Sequence, residues 1–317
     1  MMPQMYGAVM DTTIHNPAGA FQSVHAGQFE IQPDQIAWGS KLGEGAMAQI
    51  FKAKIKWPDN SVNECVAKKL KTGVDSRTQA YKDLVMELEI LTSVQKHPNL
   101  VHFFGACIKD QNNPIILEEY VDGPNLETFL TKRAGKKLKN ATVYKWTMDL
   151  LRALDFLHNR NPIIIHRDLK PANLILTGDL EVLKLADFGM SKKVDMSMRL
   201  QTTHKGHTGT LRYMAPEVVG MRQGNYTEKA DIYGAALIIW YIATSQRPPA
   251  TNDPTSRPDI RFVTWEELAT LIQRMWTHNP EERPSANMCI QMMTAFRDKP
   301  LPHEPVAPAQ GCACTVM

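Results

Sequence analysis

The chain has 317 residues, 43% of them hydrophobic and 22% charged, which is enough apolar material for a sizeable core and too much for a disordered chain. A net charge of +3 is too small to suggest nucleic acid as a partner. The longest apolar run, residues 235–243, is too short to span a bilayer, and no basic region followed by an apolar stretch opens the chain, so neither a membrane span nor a signal peptide is expected.

Residues 1–33 are rich in Met, Gln, Gly and Ala, lack Lys and Arg, and read as a flexible extension. Order is expected to begin near Ile36-Ala37-Trp38. The next segment, Leu42-Gly43-Glu44-Gly45-Ala46-Met47-Ala48-Gln49-Ile50, is a turn whose glycines let the backbone approach phosphates and offer N–H groups to them. Strands are predicted over 49–56 and 64–70. In Cys65-Val66-Ala67-Lys68-Lys69-Leu70, strand alternation puts Val66, Lys68 and Leu70 on one face, so that Lys68 has apolar neighbours on both sides. Lys69 shares the other face with Ala67 and Lys71. A helix is predicted over 78–95, with Leu84, Leu88 and Leu91 in a stripe that Glu87 borders and Glu89 faces away from.

A stronger helix is predicted over 142–158, carrying Val143, Trp146, Leu150, Leu154 and Leu157. The loop His166-Arg167-Asp168-Leu169-Lys170-Pro171-Ala172-Asn173 follows. Two short apolar runs, 174–176 and 182–185, are split by Thr177-Gly178-Asp179 and read as a β-hairpin leading to Asp187-Phe188-Gly189. A hairpin returns the chain to where it left, so Asp168, Asn173 and Asp187 can converge. Two carboxylates, an amide, a lysine and an arginine in one place suggest metal ions and phosphate. Residues 230–245 are apolar nearly all round and predict a buried helix. Strands dominate early and helices late, which predicts two lobes of different class. Cys65, Cys107 and Cys289 stand alone in apolar contexts and read as buried thiols in a reducing, cytoplasmic compartment.

Over residues 36–296 this order of motifs resembles the eukaryotic protein kinases of serine/threonine type. Val-Ala-x-Lys, Asp187-Phe188-Gly189, Ala215-Pro216-Glu217, Asp231-Ile232-Tyr233-Gly234 and Asn279-Pro280-Glu281-Glu282-Arg283-Pro284 follow one another as in that family. His97-Pro98-Asn99-Leu100-Val101, Phe104-Gly105-Ala106-Cys107 and Met275-Trp276 resemble its tyrosine kinase-like group. The resemblance implies an α+β bilobal protein kinase fold, with an N-lobe at 34–117, a hinge at 118–124, a C-lobe at 125–296 and a tail at 297–317.

It also implies ATP and Mg²⁺, with Mn²⁺ as a substitute, and protein substrates accepting phosphate on Ser or Thr. Leu42, Gly43, Glu44, Gly45, Ile50 and Val66 would contact nucleotide; Ala48 replaces the family's third glycine. The phosphate-binding lysine would pair with Glu87; a literal Val-Ala-x-Lys match selects Lys69, whereas side-chain alternation selects Lys68. Backbone groups of Glu119 and Val121 would meet the adenine edge. Glu118 would be the gatekeeper at the back of the pocket, unless a one-residue insertion turns it outward.

Asp168 would accept the substrate proton, Lys170 would neutralise the transferring phosphoryl group, and Asn173 and Asp187 would hold the metal. Arg283 would pair with Glu217 and Asp231 would brace the catalytic loop. Residues 187–217 would be the activation segment. Thr202, Thr203 and Thr208 within it are candidate sites for an upstream kinase, read out by Arg167, and Thr210 would face substrate. Ala48 and Glu118 also admit a pseudokinase scaffold, whereas the Ala215-Pro216-Glu217 motif argues against a small-molecule kinase.

The tail carries Lys299-Pro-Leu-Pro-His-Glu-Pro, a proline-spaced tether, and finishes in Cys314-Thr315-Val316-Met317, which resembles a farnesylation box. One prenyl chain anchors weakly, and palmitoylation of Cys312 would supply a second signal. Peripheral membrane association through that tail is the resulting expectation.

Overall fold

The computed structural model describes residues 29–44, 48–71, 79–94, 96–108, 114–133, 135–194, 211–219, 227–250, 253 and 255–297. Gly45, Thr202, Thr203, Thr208, Thr210, Cys312 and Cys314 lie outside the described residues.

Alternating apolar residues first build a five-stranded antiparallel sheet. Its strands are β1 (Ile36–Glu44), β2 (Ala48–Lys56), β3 (Val62–Leu70), β4 (Phe103–Cys107) and β5 (Ile115–Glu119), ordered β1-β2-β3-β5-β4. Period-two alternation divides β3 between two apolar clusters. Cys65 and Ala67 face outward with Ile36, Ile55, Ile115 and Leu117. Leu70 faces the larger core, which also takes Leu84, Leu88 and Leu91 from helix α1 (Gln79–Ser93). The α1 pattern is the leucine stripe expected from the sequence, and it seats α1 against the inner face of the sheet.

The second lobe is mainly helical. Helices α2 (Leu126–Lys132) and α3 (Asn140–His158) lead into β6 (Ile163–Ile165). Asn125 caps α2 by accepting the Thr128 N–H at 2.8 Å. The expected hairpin forms as β7 (Leu174–Leu176) and β8 (Leu183–Leu185), paired antiparallel, and β9 (Lys192–Val194) pairs with β6. Short helix α4 (Pro216–Val219) precedes α5 (Glu228–Thr244), α6 (Glu266–Met275) and α7 (Ala286–Arg297). Helix α5 is buried along nearly its whole length, from Ala230 to Ile242, which explains why its sequence lacks a polar face. Among the described residues, no helix is long and apolar enough to cross a membrane.

Element boundaries run slightly wider than the sequence suggests for β3 and α3, and α1 stops earlier than expected, at Ser93. A larger difference lies at the start. Order begins ahead of Ile36, because Ile31 is buried and residues 29–31 bond to β4. The Gln- and Gly-rich surroundings hide that short segment from any periodicity. Cys65, Cys107 and Cys289 are buried, and burial raises the Cys65 thiol to about 11 and the Cys289 thiol to about 12.

Candidate active site

The cleft between the lobes is built from four pieces of chain. Strand β3 presents Lys68, α1 presents Glu87, the loop after β6 presents Asp168 and Asn173, and the turn after β8 presents Asp187. Lys68 Nζ lies 2.7 and 2.9 Å from the two carboxylate oxygens of Glu87 and 3.8 Å from Asp187 Oδ1. Lys68 is therefore the lysine of the cleft, as alternation in β3 requires, and Lys69 is not. Burial alone would lower the Lys68 pKa, but Glu87, Asp187 and Glu118 outweigh it and hold the ammonium charged. Burial pulls Glu87 toward the neutral acid, opposed by Lys68; the bidentate contact is that of an ion pair. Burial would also raise Asp187, yet Lys68, His166 and the Gly189 N–H keep it below the usual carboxylate range.

Asp168 Oδ2 accepts from Lys170 Nζ at 2.5 Å and from Asn173 Nδ2 at 3.1 Å. Asn173 Nδ2 also donates to the Asp168 carbonyl at 2.9 Å, which turns its amide oxygen to the role of acceptor for a cation. That oxygen and the ionised Asp187 carboxylate are hard oxygen ligands of the type Mg²⁺ takes, so the residues present fit the metal. The loop itself is held from α5. Asp231, fully buried, accepts the N–H of His166 at 2.8 Å and of Arg167 at 3.0 Å, and His158 Nε2 meets it at 3.0 Å. Burial would raise Asp231, but the bonds from His158 and the Arg167 N–H keep it low. Arg167 and Asp187 both take positive φ, at 69° and 65°, a conformation that costs energy in non-glycine residues; the Asp231 bond to its N–H holds Arg167, and the Gly189 N–H donates to the Asp187 carboxylate at 3.3 Å. His166 Nε2 donates to the Ala186 carbonyl at 3.1 Å, tying the two loops together.

The segment that joins the lobes is anchored on both sides. Glu119 accepts Lys184 Nζ at 2.6 and 2.7 Å and the His102 N–H at 3.1 Å, while its own N–H donates to the His102 carbonyl at 2.7 Å. Asp122 accepts the Gly178 N–H at 2.6 Å. Gly123 has no alternative, since a Cβ there would sit 2.1 Å from the Leu176 carbonyl oxygen. Val121 is buried. Neither Lys184 nor Asp122 stands out in the sequence. The only available signal is that Lys184 alternates with the buried Leu183 and Leu185, and so must leave the core on the hinge side.

Glu118 faces the cleft. It pairs in register with Val66, and Ile116 pairs with Lys68, so the side chains share one face. The outward-turned alternative does not occur. Its Oε1 carries no accessible surface and no hydrogen-bond partner. Burial, reinforced by Glu87 and opposed by Lys68, pushes its pKa up to about 7. Between the ordinary glutamate range near 4.5 and pH 7 the unfolded chain releases a proton that the folded chain keeps, so this group lowers stability as pH rises. Glu118→Gln should therefore match the wild type in urea unfolding at pH 4.5 and exceed it by roughly 2–3 kcal/mol at pH 8. A gap that does not widen with pH would contradict this assignment.

Of the glycine-turn residues, Leu42 is exposed, Gly43 pairs with Ile50 across β1 and β2, and Glu44 is held by Lys41 and Lys71. These two lysines depress the Glu44 carboxyl to about 2. Ala48 is buried and pairs with Leu70. Its methyl group is thus part of the core at the start of β2. Below the cleft, Arg283 is bidentate to Glu217 at 2.7 and 2.8 Å, as the motif order implies.

The family model described as the protein kinase domain matches residues 36–293. Serine/threonine-protein kinase STY46 of Arabidopsis thaliana is 29% identical over 84% of this chain and 45% of its own length. Dual specificity protein kinase shkA of Dictyostelium discoideum is 34% identical over 81% of this chain and 48% of its own. Seven transmembrane domain-containing tyrosine-protein kinase 1, also of Dictyostelium discoideum, is 32% identical over 87% of this chain and 40% of its own. The chain thus spans less than half the length of these curated relatives.

Proposed function

This chain belongs to the protein kinase family and resembles its tyrosine kinase-like group; from that premise we propose that it transfers the γ-phosphoryl group of Mg·ATP to serine and threonine hydroxyls of proteins. The observation that carries the reading is the Lys68–Glu87 pair set 3.8 Å from Asp187, with Asp168 and Asn173 on the facing loop. Lys68 meets the α- and β-phosphate oxygens, and Glu87 keeps its ammonium in place. Backbone groups of Glu119 and Val121 receive the adenine edge. Asp168 accepts the proton of the acceptor hydroxyl as that oxygen bonds to the γ-phosphorus and the bond to the leaving ADP breaks. Lys170 balances charge on the moving phosphoryl group. Asn173 and Asp187 would hold the metal, which would supply positive charge to the phosphate oxygens.

Serine/threonine preference is supported by Lys170-Pro171-Ala172-Asn173 and by Thr210, and by relatives named for serine/threonine activity. Activation-segment phosphorylation at Thr202, Thr203 or Thr208 by an upstream kinase, with Arg167 as the reader, is the accompanying regulatory reading. Incubation with Mg·ATP and a mixed Ser/Thr/Tyr peptide pool, read by mass spectrometry, is expected to place phosphate on Ser and Thr alone. Phosphotyrosine would overturn the specificity. A second reading, a scaffold that binds nucleotide weakly, draws on Glu118, whose carboxyl group adds negative charge beside the phosphate lysine once it ionises. Absence of peptide phosphorylation together with weak ATP binding in a calorimetric titration would favour it.

A further inference from the structure

Residues 29–31 precede both β1 and the family match, yet they are built into the sheet. The Ile31 N–H donates to the Ala106 carbonyl at 3.0 Å and the Ala106 N–H to the Phe29 carbonyl at 2.8 Å. The segment thereby bridges β4 in parallel and covers its outer edge. The Ile31 side chain is buried in the outer cluster with Cys107 and Ile115. Gly105 permits this approach: its φ is +155°, and a Cβ there would sit 2.3 Å from the Phe29 carbonyl oxygen.

Phe29 packs against the larger core, its ring 5.6 Å from that of Phe103. Phe103, Leu91 of α1 and Phe188 line one cavity. Phe188 in turn meets His166 edge-on at 5.6 Å. Side chains from the loop bearing Asp168, the Asp187 turn, α1 and β4 thus gather in one core cluster around that cavity, and Phe29, from ahead of the domain, backs the Phe103 side of it. Leu91 stands one helical turn from Glu87, on the same stripe.

We propose that residues 29–31 form a strap and that Phe29 is a positioning residue, which together hold α1 so that Glu87 stays on Lys68. The consequence for activity rests on the kinase reading; the mechanical claim does not. A helix whose β4 neighbour is loosened would trade its ion pair for solvent more readily, and the strap supplies the ring that backs Phe103.

The test uses the full chain with Phe29→Ala and Phe29→Leu. Hydrogen–deuterium exchange of peptides covering 83–91, recorded without nucleotide, is expected to speed up about fivefold to tenfold in Phe29→Ala, the size of one lost aromatic contact. Phe29→Leu should return to within about twofold of wild type. In a peptide assay, kcat should fall about fivefold in Phe29→Ala, with the KM for peptide unchanged. Unchanged exchange over 83–91 in Phe29→Ala overturns the strap, whatever happens to the melting temperature, and so does a Phe29→Leu variant that behaves like Phe29→Ala. Faster exchange with an unchanged kcat in an active enzyme overturns the positioning role. A chain that phosphorylates nothing in any form defeats the kinase reading and leaves the exchange data to decide the strap.

Discussion

Asp168→Asn is expected to lower kcat for peptide phosphorylation by roughly 10²–10⁴, with little change in the KM for ATP or in melting temperature. The asymmetry follows from how the loop is held. Its backbone hangs on Asp231 through the N–H groups of His166 and Arg167, and neither bond involves the Asp168 side chain. Asparagine has nearly the shape of aspartate and can still accept from Lys170 or Asn173 through its amide oxygen. What it loses is the ability to take a proton and the negative charge that holds Lys170 in place. In the proposed reading the binding groups for nucleotide come mainly from β3, α1 and the segment between the lobes, which the change leaves alone. Steady-state kinetics with Mg·ATP and a serine peptide, beside a thermal melt, decide the matter. Equal phosphate incorporation by the variant would remove Asp168 from the chemistry.

The largest loss of stability should come from Glu217→Ala, at about 3–5 kcal/mol in urea unfolding. The Arg283 side chain has 0% exposure. Besides Glu217 it donates to the carbonyls of Thr277 at 2.8 Å, Lys229 at 2.9 Å and His278 at 3.1 Å. Those three neutral acceptors keep the guanidinium buried after its carboxylate is gone, so the variant retains an uncompensated charge. Arg283→Met should cost less, because it removes the buried charge and leaves Glu217, which is 15% exposed, nearer to water. The double variant Glu217→Ala/Arg283→Met should be more stable than Glu217→Ala alone. If Glu217→Ala loses less than about 1 kcal/mol, the buried-charge account is wrong.

Sequence periodicity resolved the features that repeat locally. Alternation in β3 distinguishes Lys68 from Lys69 because that strand lies between two apolar clusters, and every second side chain must serve one of them. The leucine stripe of α1 places Glu87 beside the core for the same reason. The hairpin that joins Asn173 to Asp187 could be read from two apolar runs and a turn. Three features could not be read this way. The orientation of Glu118 depends on the β3–β5 register, which a single inserted residue would reverse. The Lys184–Glu119 and Asp122–Gly178 links join residues far apart in sequence, where no local pattern reports on pairing. The strap at 29–31 is too short for any period, and its one trace is a glycine, Gly105, located on the partner strand.

The burial of Cys65 and Cys289 gives the molecule a pair of internal clocks. A thiol must ionise to react, and Cys65 and Cys289 are both shielded from solvent and raised far above neutral pH. An alkylating reagent can therefore reach them only when the surrounding packing opens. Cys65 sits in the middle of the sheet and Cys289 in α7, so their labelling rates time the opening of each lobe separately, from one sample and without a mutation.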